Sequence, residues 1–482
     1  MRPLRLDLND IQGDVLIGLQ KDAESFIFFK IVDVGSFQTR LKGYVLRKII
    51  SSEQTKQWEL VIQRRKGQGQ RIFGSFHGLN LGFTKNGITQ LTRGSRPKLD
   101  PAFESGADHP DTIAALHDPP KSHWLEKFVA ERVDGVFLVT GPSLSSVTSH
   151  SNELLRLLGT SIKVIYSEVG KTRPGDERGH EHFGFLDGIS QPGVRGLTSA
   201  SNLTYRPNKG LPGQDPLWPG EFVFGYPGQH SDQPTKEGPA PDMAAPWMRN
   251  GSYMVFRRLE QKVPEFRRFV AEQAARLGTD RELLAARMVG RWKSGAPLER
   301  APLRDNPGLG PDPQRNNDFG FAGDPSQRKC PYAAHIRKAY PRDDIALAEA
   351  QRHRIVRAGI PFGPEVAPGE TTTKHSRGLM FVCYQTSIER QFEFIQKSYA
   401  NNPDFVGGKQ RPDSSGVVTP GFDPVIGQAP GNGPREMDEP FSNYPGGNRR
   451  TRLVMPEQFV KLTAAAYFFM PSITALRTVL TS

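Results

Sequence analysis

The feature that most constrains the fold is a repeat of strand and helix patterns in the two halves of this 482-residue chain. In the first half, the buried strand pattern SFIFFKIVD (residues 25–33) precedes a helical stretch, and so does GVFLVTG (residues 135–141). In the second half, the same arrangement recurs at GSYMVFRRL (residues 251–259) and at GLMFVCYQTS (residues 378–387). This self-similarity indicates two related folding units.

Three more strand candidates extend the pattern, namely FGSFHGLNLGF near Phe73, SIKVIYSEV near Ile165 and AAYFFMPSI near Phe468. The sequence therefore predicts an α+β protein of two β-α-β-β-α-β units, each with its helices on one face of an antiparallel sheet. We place an N-terminal domain at residues 1–230 and a C-terminal domain at residues 247–482, joined by a linker rich in Pro and Gly.

The net charge of +12, from 63 Lys and Arg against 51 Asp and Glu, raises the question of a nucleic-acid partner. The basic residues are scattered along the chain, and they form no stripe with interleaved aromatic residues. We therefore expect no nucleic-acid partner and interpret the charge as a general attraction for anions.

The N-terminal stretch MRPLRLDLNDIQGDVLIGL lacks the apolar run of a signal peptide. The chain also has no run of about 18 apolar residues that could cross a membrane. We expect a soluble protein without a membrane partner, either the mature form of a secreted protein or a cytoplasmic one.

One acidic residue is conspicuous because its neighbours are apolar or small, namely Asp187 in HEHFGFLDGISQPGVRG (residues 180–196). Asp-Gly is a common turn dipeptide, since glycine adopts a positive φ without a steric penalty. A carboxylate in apolar surroundings also suits acid–base chemistry. The residues alone leave both interpretations open.

Two further candidates lie in a long insertion predicted at residues 295–364, and an insertion of that length in a compact domain is usually functional. His335 stands in CPYAAHIRKAYPRDD, followed by a run of cations, and Arg357 stands just before a GIPFG turn. A packed or surface histidine and a helix-terminal arginine account equally well for these two residues taken singly.

Taken in order, five segments resemble the dye-decolorizing peroxidases, and the fungal-type members most closely: HFGFLDGISQP, CPYAAHIRK, RIVRAGIPFG, GLMFVCYQTSIERQFEFIQKSYANNPDF and DPVIGQ. The resemblance covers almost the whole chain, from DIQGD to YFFMPSITAL. It implies two ferredoxin-like units of the dimeric α+β barrel type, with a haem held mainly by the C-terminal unit. The N-terminal unit would carry the Gly-x-x-Asp-Gly motif, residues 184–188.

The resemblance also implies roles for individual residues. His335 would be the proximal ligand of the haem iron, with Asp423 as the partner of its imidazole. Asp187 and Arg357 would form the distal pair that drives heterolytic cleavage of the O–O bond. Three more residues would border the haem and the peroxide: Gly188, Leu379 and Phe381.

The implied activity is a peroxidase that reduces hydrogen peroxide and oxidises dyes, phenols and other aromatic compounds in one-electron steps, as a monomer or a homodimer. The expected cofactor is non-covalent haem b, because the chain has two cysteines and no Cys-x-x-Cys-His attachment motif. A distal aspartate has a lower pKa than a histidine, so we also expect an acidic optimum for dye oxidation, below about pH 5.

Members of this family relay electrons through surface Trp or Tyr residues. Here Phe362 stands where a Tyr can occur, and Tyr399 stands where SYANN often has Trp, so any relay is predicted to use Tyr399 or another aromatic residue. Two alternatives stay open. A non-catalytic haem-binding protein would need His335 but has no use for Asp187 with Arg357, and a haem-iron-removing enzyme could share the fold.

Overall fold

The structure is a computed structural model that describes residues 4–19, 21–68, 76–94, 99–197, 210–409, 411–413, 416–441 and 449–482. The first residues of the strand candidate FGSFHGLNLGF, 73–75, lie outside these described residues. Within the ranges given, no helix combines the length and the apolar character needed to cross a membrane.

The strands divide between the two halves of the chain. The first half contains β1 (Ala23–Ile31), β2 (Gly78–Phe83), β3 (Gly135–Gly141), β4 (Ile162–Lys171), β5 (Gly193–Val194) and β6 (Pro216–Leu217). The second half contains β7 (Ser252–Gln261), β8 (Val356–Arg357), β9 (Ile360–Phe362), β10 (Gly378–Gln385), β11 (Arg411–Asp413), β12 (Gly416–Val418), β13 (Arg435–Phe441), β14 (Arg449–Met455) and β15 (Val460–Met470).

The α-helices follow the same division. They are α1 (Gly13–Leu16), α2 (Val34–Arg40), α3 (Ser52–Gly67), α4 (Lys85–Leu91), α5 (Pro101–Ser105), α6 (Pro110–Ala115), α7 (Glu126–Ala130), α8 (Leu144–Leu158), α9 (Val263–Leu277), α10 (Arg281–Val289), α11 (His335–Ala339), α12 (Leu347–Arg352) and α13 (Ile473–Thr478). The helix predicted after β10 is present as two π-helical segments, Ile388–Glu393 and Ile395–Ala400.

The predicted fold class is confirmed. The strands of the first half are antiparallel and follow the order β2-β3-β1-β4. Those of the second half follow the order β15-β7-β10-β9, and β8 pairs with β10 beside β9. The two halves join edge to edge, through Phe469 beside Phe83 and through Phe362 beside Gly170. Since β7 also pairs with β10, the nine-stranded sheet closes into a barrel.

Strand β1 shows why its sequence is apolar almost throughout. Side chains of a strand alternate between its two faces. Phe26 and Phe28 point into the barrel, where their rings lie 5.4 and 4.8 Å from that of Phe256. Ile27 and Phe29 point outward and pack beneath the helices of the first half. Both faces are buried, so the strand reads as a continuous apolar run.

The insertion predicted at residues 295–364 was placed wrongly at its C-terminal end. Val356–Arg357 and Ile360–Phe362 are strands of the barrel, because both pair with β10. In the segment before them, Leu298 and Phe321 belong to a small apolar cluster, together with Trp292 and with Ala286 of α10. Arg357 therefore belongs to the barrel wall rather than to the insertion.

Candidate active site

A cavity of about 250 Å³ opens where segments from both halves of the chain meet. Its wall is formed by the hairpin after β4, the start of α11, β8, β10 and the loop after β12. Six of the residues singled out from the sequence line this one cavity: Asp187, Gly188, His335, Arg357, Leu379 and Phe381. The seventh, Asp423, lies directly behind His335.

Asp187 is a turn residue and a cavity residue at the same time. Gly188 follows it with φ +79°, which only glycine adopts without strain, and the Gly188 N–H donates to Asp187 Oδ1 at 2.6 Å. The Asp187 N–H donates to the Gly179 carbonyl at 3.0 Å and closes the hairpin. The two interpretations of this residue are therefore compatible, since the turn places the carboxylate on the cavity wall.

Arg357 pairs with that carboxylate. Its Nη1 donates to Asp187 Oδ1 at 2.7 Å, and the side chains are 28% and 38% exposed along the cavity wall. Gln191 holds the Arg357 backbone from both sides, because Arg357 N–H donates to Gln191 Oε1 at 3.1 Å and Gln191 Nε2 donates to the Arg357 carbonyl at 2.6 Å. The pair is thus anchored at each of its ends.

The electrostatics of the pair keep Asp187 ionised. Burial raises the pKa of Asp187, but the positive charge and hydrogen bond of Arg357 outweigh it, together with the Gly188 N–H and His335. The pKa of Asp187 consequently lies below its ordinary value. A carboxylate with this surrounding is unprotonated, and hence able to accept a proton, over most of the acid range.

His335 faces the cavity from α11. Its Nδ1–H donates to Asp423 Oδ2 at 2.7 Å across 88 residues of chain. The other oxygen of Asp423 accepts the Val425 and Ile426 N–H groups at 2.8 and 3.0 Å. With Nδ1 engaged, Nε2 is the nitrogen that can bind a ligand in the cavity.

In the pair of His335 and Asp423, each side chain stabilises the charged form of the other. Burial lowers the pKa of His335, but Asp423 raises it by its charge and hydrogen bond and prevails. Burial raises the pKa of Asp423, whereas His335 and two backbone N–H groups bring it below the ordinary value. An ionised carboxylate on Nδ1 fixes the tautomer of the imidazole and makes Nε2 a stronger donor to a metal.

Leu379 and Phe381 line the cavity from the same face of β10, as alternate residues of a strand do. Leu379 stands opposite Leu259 in the sheet, and that residue also lines the cavity. Phe381 packs near the ring of Phe392, with the ring centroids 6.2 Å apart. The face of β10 that borders the cavity is therefore apolar at these two positions.

Four arginines of the cavity wall were not singled out from the sequence: Arg257, which pairs with Asp118, and Arg291, Arg342 and Arg354. Burial and the neighbouring Arg342 lower the pKa of Arg291 to about 9, and burial lowers that of Arg342 to about 10. Arg354 stacks on the Tyr340 ring at 3.6 Å. Within the described part of the chain, no carboxylate forms an ion pair with the last three of these arginines; Arg291 and Arg342 donate instead to backbone carbonyls and to the side-chain oxygen of Asn317. Such cations favour an anionic occupant.

The donor set fits a haem. Nε2 of His335 would bind the iron, the apolar wall would contact the porphyrin, and Arg291, Arg342 and Arg354 would supply positive charge for its propionates. Of the cations that follow His335 in the sequence, Arg337 and Lys338 do not contribute. Arg337 pairs with Asp344, and Lys338 donates to backbone carbonyls of Asn402 and Phe405.

Tyr399, the residue predicted for an electron relay, and Phe362, which stands where a Tyr can occur, are both buried. Tyr399 is 4% exposed and stacks on Phe405, and its hydroxyl has no hydrogen-bond partner among the described residues. Phe362 lies beneath the Arg258 guanidinium. Tyr340, by contrast, lines the cavity and donates its hydroxyl hydrogen to Asp215. A relay through Tyr399 or another aromatic residue stays a prediction.

Known proteins resemble this chain over nearly its whole length. Residues 10–174 match the family described as the DyP dimeric alpha+beta barrel domain, and residues 227–411 match the Dyp-type peroxidase C-terminal family. Peroxidase 2 of Mycetinis scorodonius is 37% identical, over 98% of this chain and 88% of that protein.

Solved structures show the same similarity in three dimensions. A variant of the dye-decolorizing peroxidase from Pleurotus ostreatus superposes with a TM-score of 0.84 and 37% identity, covering 99% of this chain and 100% of that one. A dye-decolorizing peroxidase in complex with 2,6-dimethoxyphenol superposes with a TM-score of 0.79 and 34% identity, over 99% and 100% of the two chains.

Proposed function

Because this chain belongs to the dye-decolorizing peroxidase family, we propose that Asp187 and Arg357 are the residues that cleave hydrogen peroxide, at a haem held by His335. The protein is a haem-dependent peroxidase that oxidises dyes and phenols. The observation that supports the residue roles best is the contact of 2.7 Å between Arg357 Nη1 and Asp187 Oδ1 on the wall of the cavity that His335 faces.

The cofactor we propose is haem b, bound without a covalent link. The chain has no Cys-x-x-Cys-His motif, and Cys330 and Cys383 are both buried free thiols. His335 would bind the iron, and Leu379 and Phe381 would border the porphyrin. When bound, haem supplies a redox centre that accepts two oxidising equivalents from peroxide and passes them on one at a time.

The protein's own part is to move one proton and to stabilise one charge. Asp187 takes a proton from one oxygen of hydrogen peroxide and returns it to the other, which then leaves as water. Arg357 stays protonated throughout, so it stabilises the anionic peroxide without competing for that proton. We propose that aromatic dyes and phenols then return the enzyme to its resting state, and that it acts as a monomer or a homodimer.

The experiment that tests this function is the absorption spectrum of the purified, haem-loaded protein before and after one equivalent of hydrogen peroxide. A peroxidase shows a Soret band that shifts on addition and returns when a phenol is supplied. A Soret band that peroxide leaves unchanged would favour the non-catalytic haem-binding protein.

Replacing His335 with alanine is expected to abolish stable haem binding, because it removes the only iron ligand proposed on this side of the cavity. The measurement is haem content per polypeptide after reconstitution. His353→Ala is the matched control, because His353 also lines the cavity but its Nδ1 and Nε2 lie 2.5 and 2.9 Å from the Arg390 carbonyl and the Glu349 carboxylate. Loss of haem from His353→Ala but not from His335→Ala would assign the ligand to His353.

The pH dependence follows from the lowered pKa of Asp187. Asp187 acts as a base only when ionised, so peroxide cleavage is retained above its pKa and lost as the pH falls through it. The lowered pKa moves this loss below the ordinary value of about 3.9 for aspartate. Stopped-flow rates of the Soret change, without reductant, should therefore stay level from neutral pH to about pH 4. Peroxide cleavage then does not limit dye oxidation in acid, and we expect that oxidation to be fastest below about pH 5. A loss of rate between pH 7 and pH 5 would show that a group with a higher pKa is the base.

A further inference from the structure

The hairpin that carries Asp187 is folded around a second carboxylate, that of Glu181. Glu181 Oε1 accepts the Phe185 N–H at 2.8 Å, and Oε2 accepts the Phe183 N–H at 2.9 Å. Gln261, the last residue of β7, donates its side-chain amide to Oε2 as well. The carboxylate therefore accepts three hydrogen bonds, two from its own hairpin and one from the barrel.

The backbone of Glu181 ties the same hairpin together. Its N–H donates to the Phe185 carbonyl at 3.0 Å, and its carbonyl accepts the Gly184 N–H at 2.9 Å. Arg173 Nη1, on the segment after β4, donates to the Glu181 carbonyl at 2.7 Å. The six residues from Glu181 to Leu186 are thus held in one conformation immediately before Asp187.

Removing a carboxylate from water costs free energy, which an apolar side chain at the same position would not cost. Glu181 lines the cavity together with Asp187, and its side chain is half-buried. Burial raises the pKa of Glu181, against the three hydrogen bonds, and the nearby Asp187 raises it further. A carboxylate in these surroundings is unfavourable unless its hydrogen bonds compensate for the loss of water.

We infer that Glu181 is a positioning residue for peroxide cleavage, because it holds the hairpin in the conformation that presents Asp187 to Arg357. The inference rests on the proposed roles of Asp187 and Arg357. Only a side chain with two acceptor oxygens can receive both hairpin N–H groups and the Gln261 amide. A glutamine has an amide NH₂ in place of one of the two oxygens. That NH₂ group would face either the Phe185 N–H or the Phe183 N–H, and the hydrogen bond on that side would be lost.

The variant that tests the inference is Glu181→Gln, with Glu177→Gln as its matched control. Glu177 belongs to the same segment and pairs with the same Arg173, but its side chain is 50% exposed and does not line the cavity. Both substitutions remove one negative charge close to Arg173, so a difference between them does not come from the interaction with Arg173.

The readout is the specificity constant for each of the two substrates, measured with the haem-loaded enzyme. In a peroxidase, kcat/KM for hydrogen peroxide reports the cleavage step, and kcat/KM for the dye reports the later electron transfers. We expect Glu181→Gln to lower kcat/KM for peroxide on the order of 10- to 100-fold, because misplacing a reacting group by about 1 Å costs that much. The value for the dye, per haem, should match wild type, and Glu177→Gln should match wild type in both.

Two results would overturn the role of Glu181. One is a Glu181→Gln enzyme with the wild-type kcat/KM for peroxide. The other is an equal loss in both constants that follows the haem content, which is the effect of a residue needed only for folding. If the Soret band of the wild-type enzyme did not respond to peroxide, the peroxidase function itself would be overturned. Failure of the Glu181 role and failure of the proposed function are therefore distinguishable.

Discussion

Replacing Asp187 with asparagine is expected to slow the reaction of the haem-loaded enzyme with hydrogen peroxide on the order of 10²–10⁴-fold, the range attributed to general acid–base catalysis. Asparagine has the same shape, and its Oδ1 can still accept the hydrogen bond that Arg357 Nη1 makes at 2.7 Å. It cannot accept a proton. The substitution therefore removes proton transfer and leaves the hairpin and the pair in place.

The measurement for Asp187→Asn is the second-order rate constant of the Soret change in stopped flow at neutral pH. Asp176→Asn serves as the control, because Asp176 is an exposed residue of the turn that precedes the same hairpin. An Asp187→Asn enzyme as fast as wild type would leave this residue with its turn role only.

Replacing Arg357 with leucine is expected to slow the same reaction on the order of 10²–10³-fold, which is typical for the loss of one preorganised donor. Leucine keeps an apolar body in β8 but removes the permanent charge that stabilises the anionic peroxide. Arg357→Lys should be intermediate, because it restores a charge without the planar fork of donors.

The same stopped-flow measurement applies to the Arg357 variants. Arg178→Leu is the control, because Arg178 forms an ion pair with Asp22 away from the cavity and is 60% exposed. If Arg357→Leu reacted with peroxide at the wild-type rate, the charge that stabilises the transition state would have to come from another cavity residue.

The fold could be predicted from the sequence because several of its strands, including β1, β2 and β3, are buried on both faces. Runs such as those of β1 and β3 span seven to nine residues, long enough for an apolar pattern to be unambiguous. Strands β8 and β9 span two and three residues, so no periodicity can identify them. That is why the predicted insertion extended through both of them.

Individual residues of the candidate site could be singled out from the sequence, but local sequence patterns did not predict which of them are in contact. Asp187 and Arg357 are 170 residues apart, and only the family resemblance, not local pattern, suggested that they meet. The choice between a turn residue and a cavity carboxylate could not be made from LDG alone, because Asp187 both forms the turn and lines the cavity.

Residues that support the site left weaker signals in the sequence. Arg291, Arg342 and Arg354 are recognisable only by the lack of an ion-pair partner in the described fold, which depends on three-dimensional contacts. Gln191 and Glu181 act through backbone atoms of other residues. Glu181 stands between His180 and His182, after a polar segment, so no local pattern singles it out.

The central claim is that Asp187 and Arg357 act on peroxide as one unit, and the double variant Asp187→Asn/Arg357→Leu tests it most directly. Residues that act together show strongly non-additive effects, whereas independent residues contribute factors that multiply. We predict that the double variant reacts with hydrogen peroxide at about the rate of the slower single variant. A double variant slowed by the full product of the two single factors would contradict the claim, because the two side chains would then act separately.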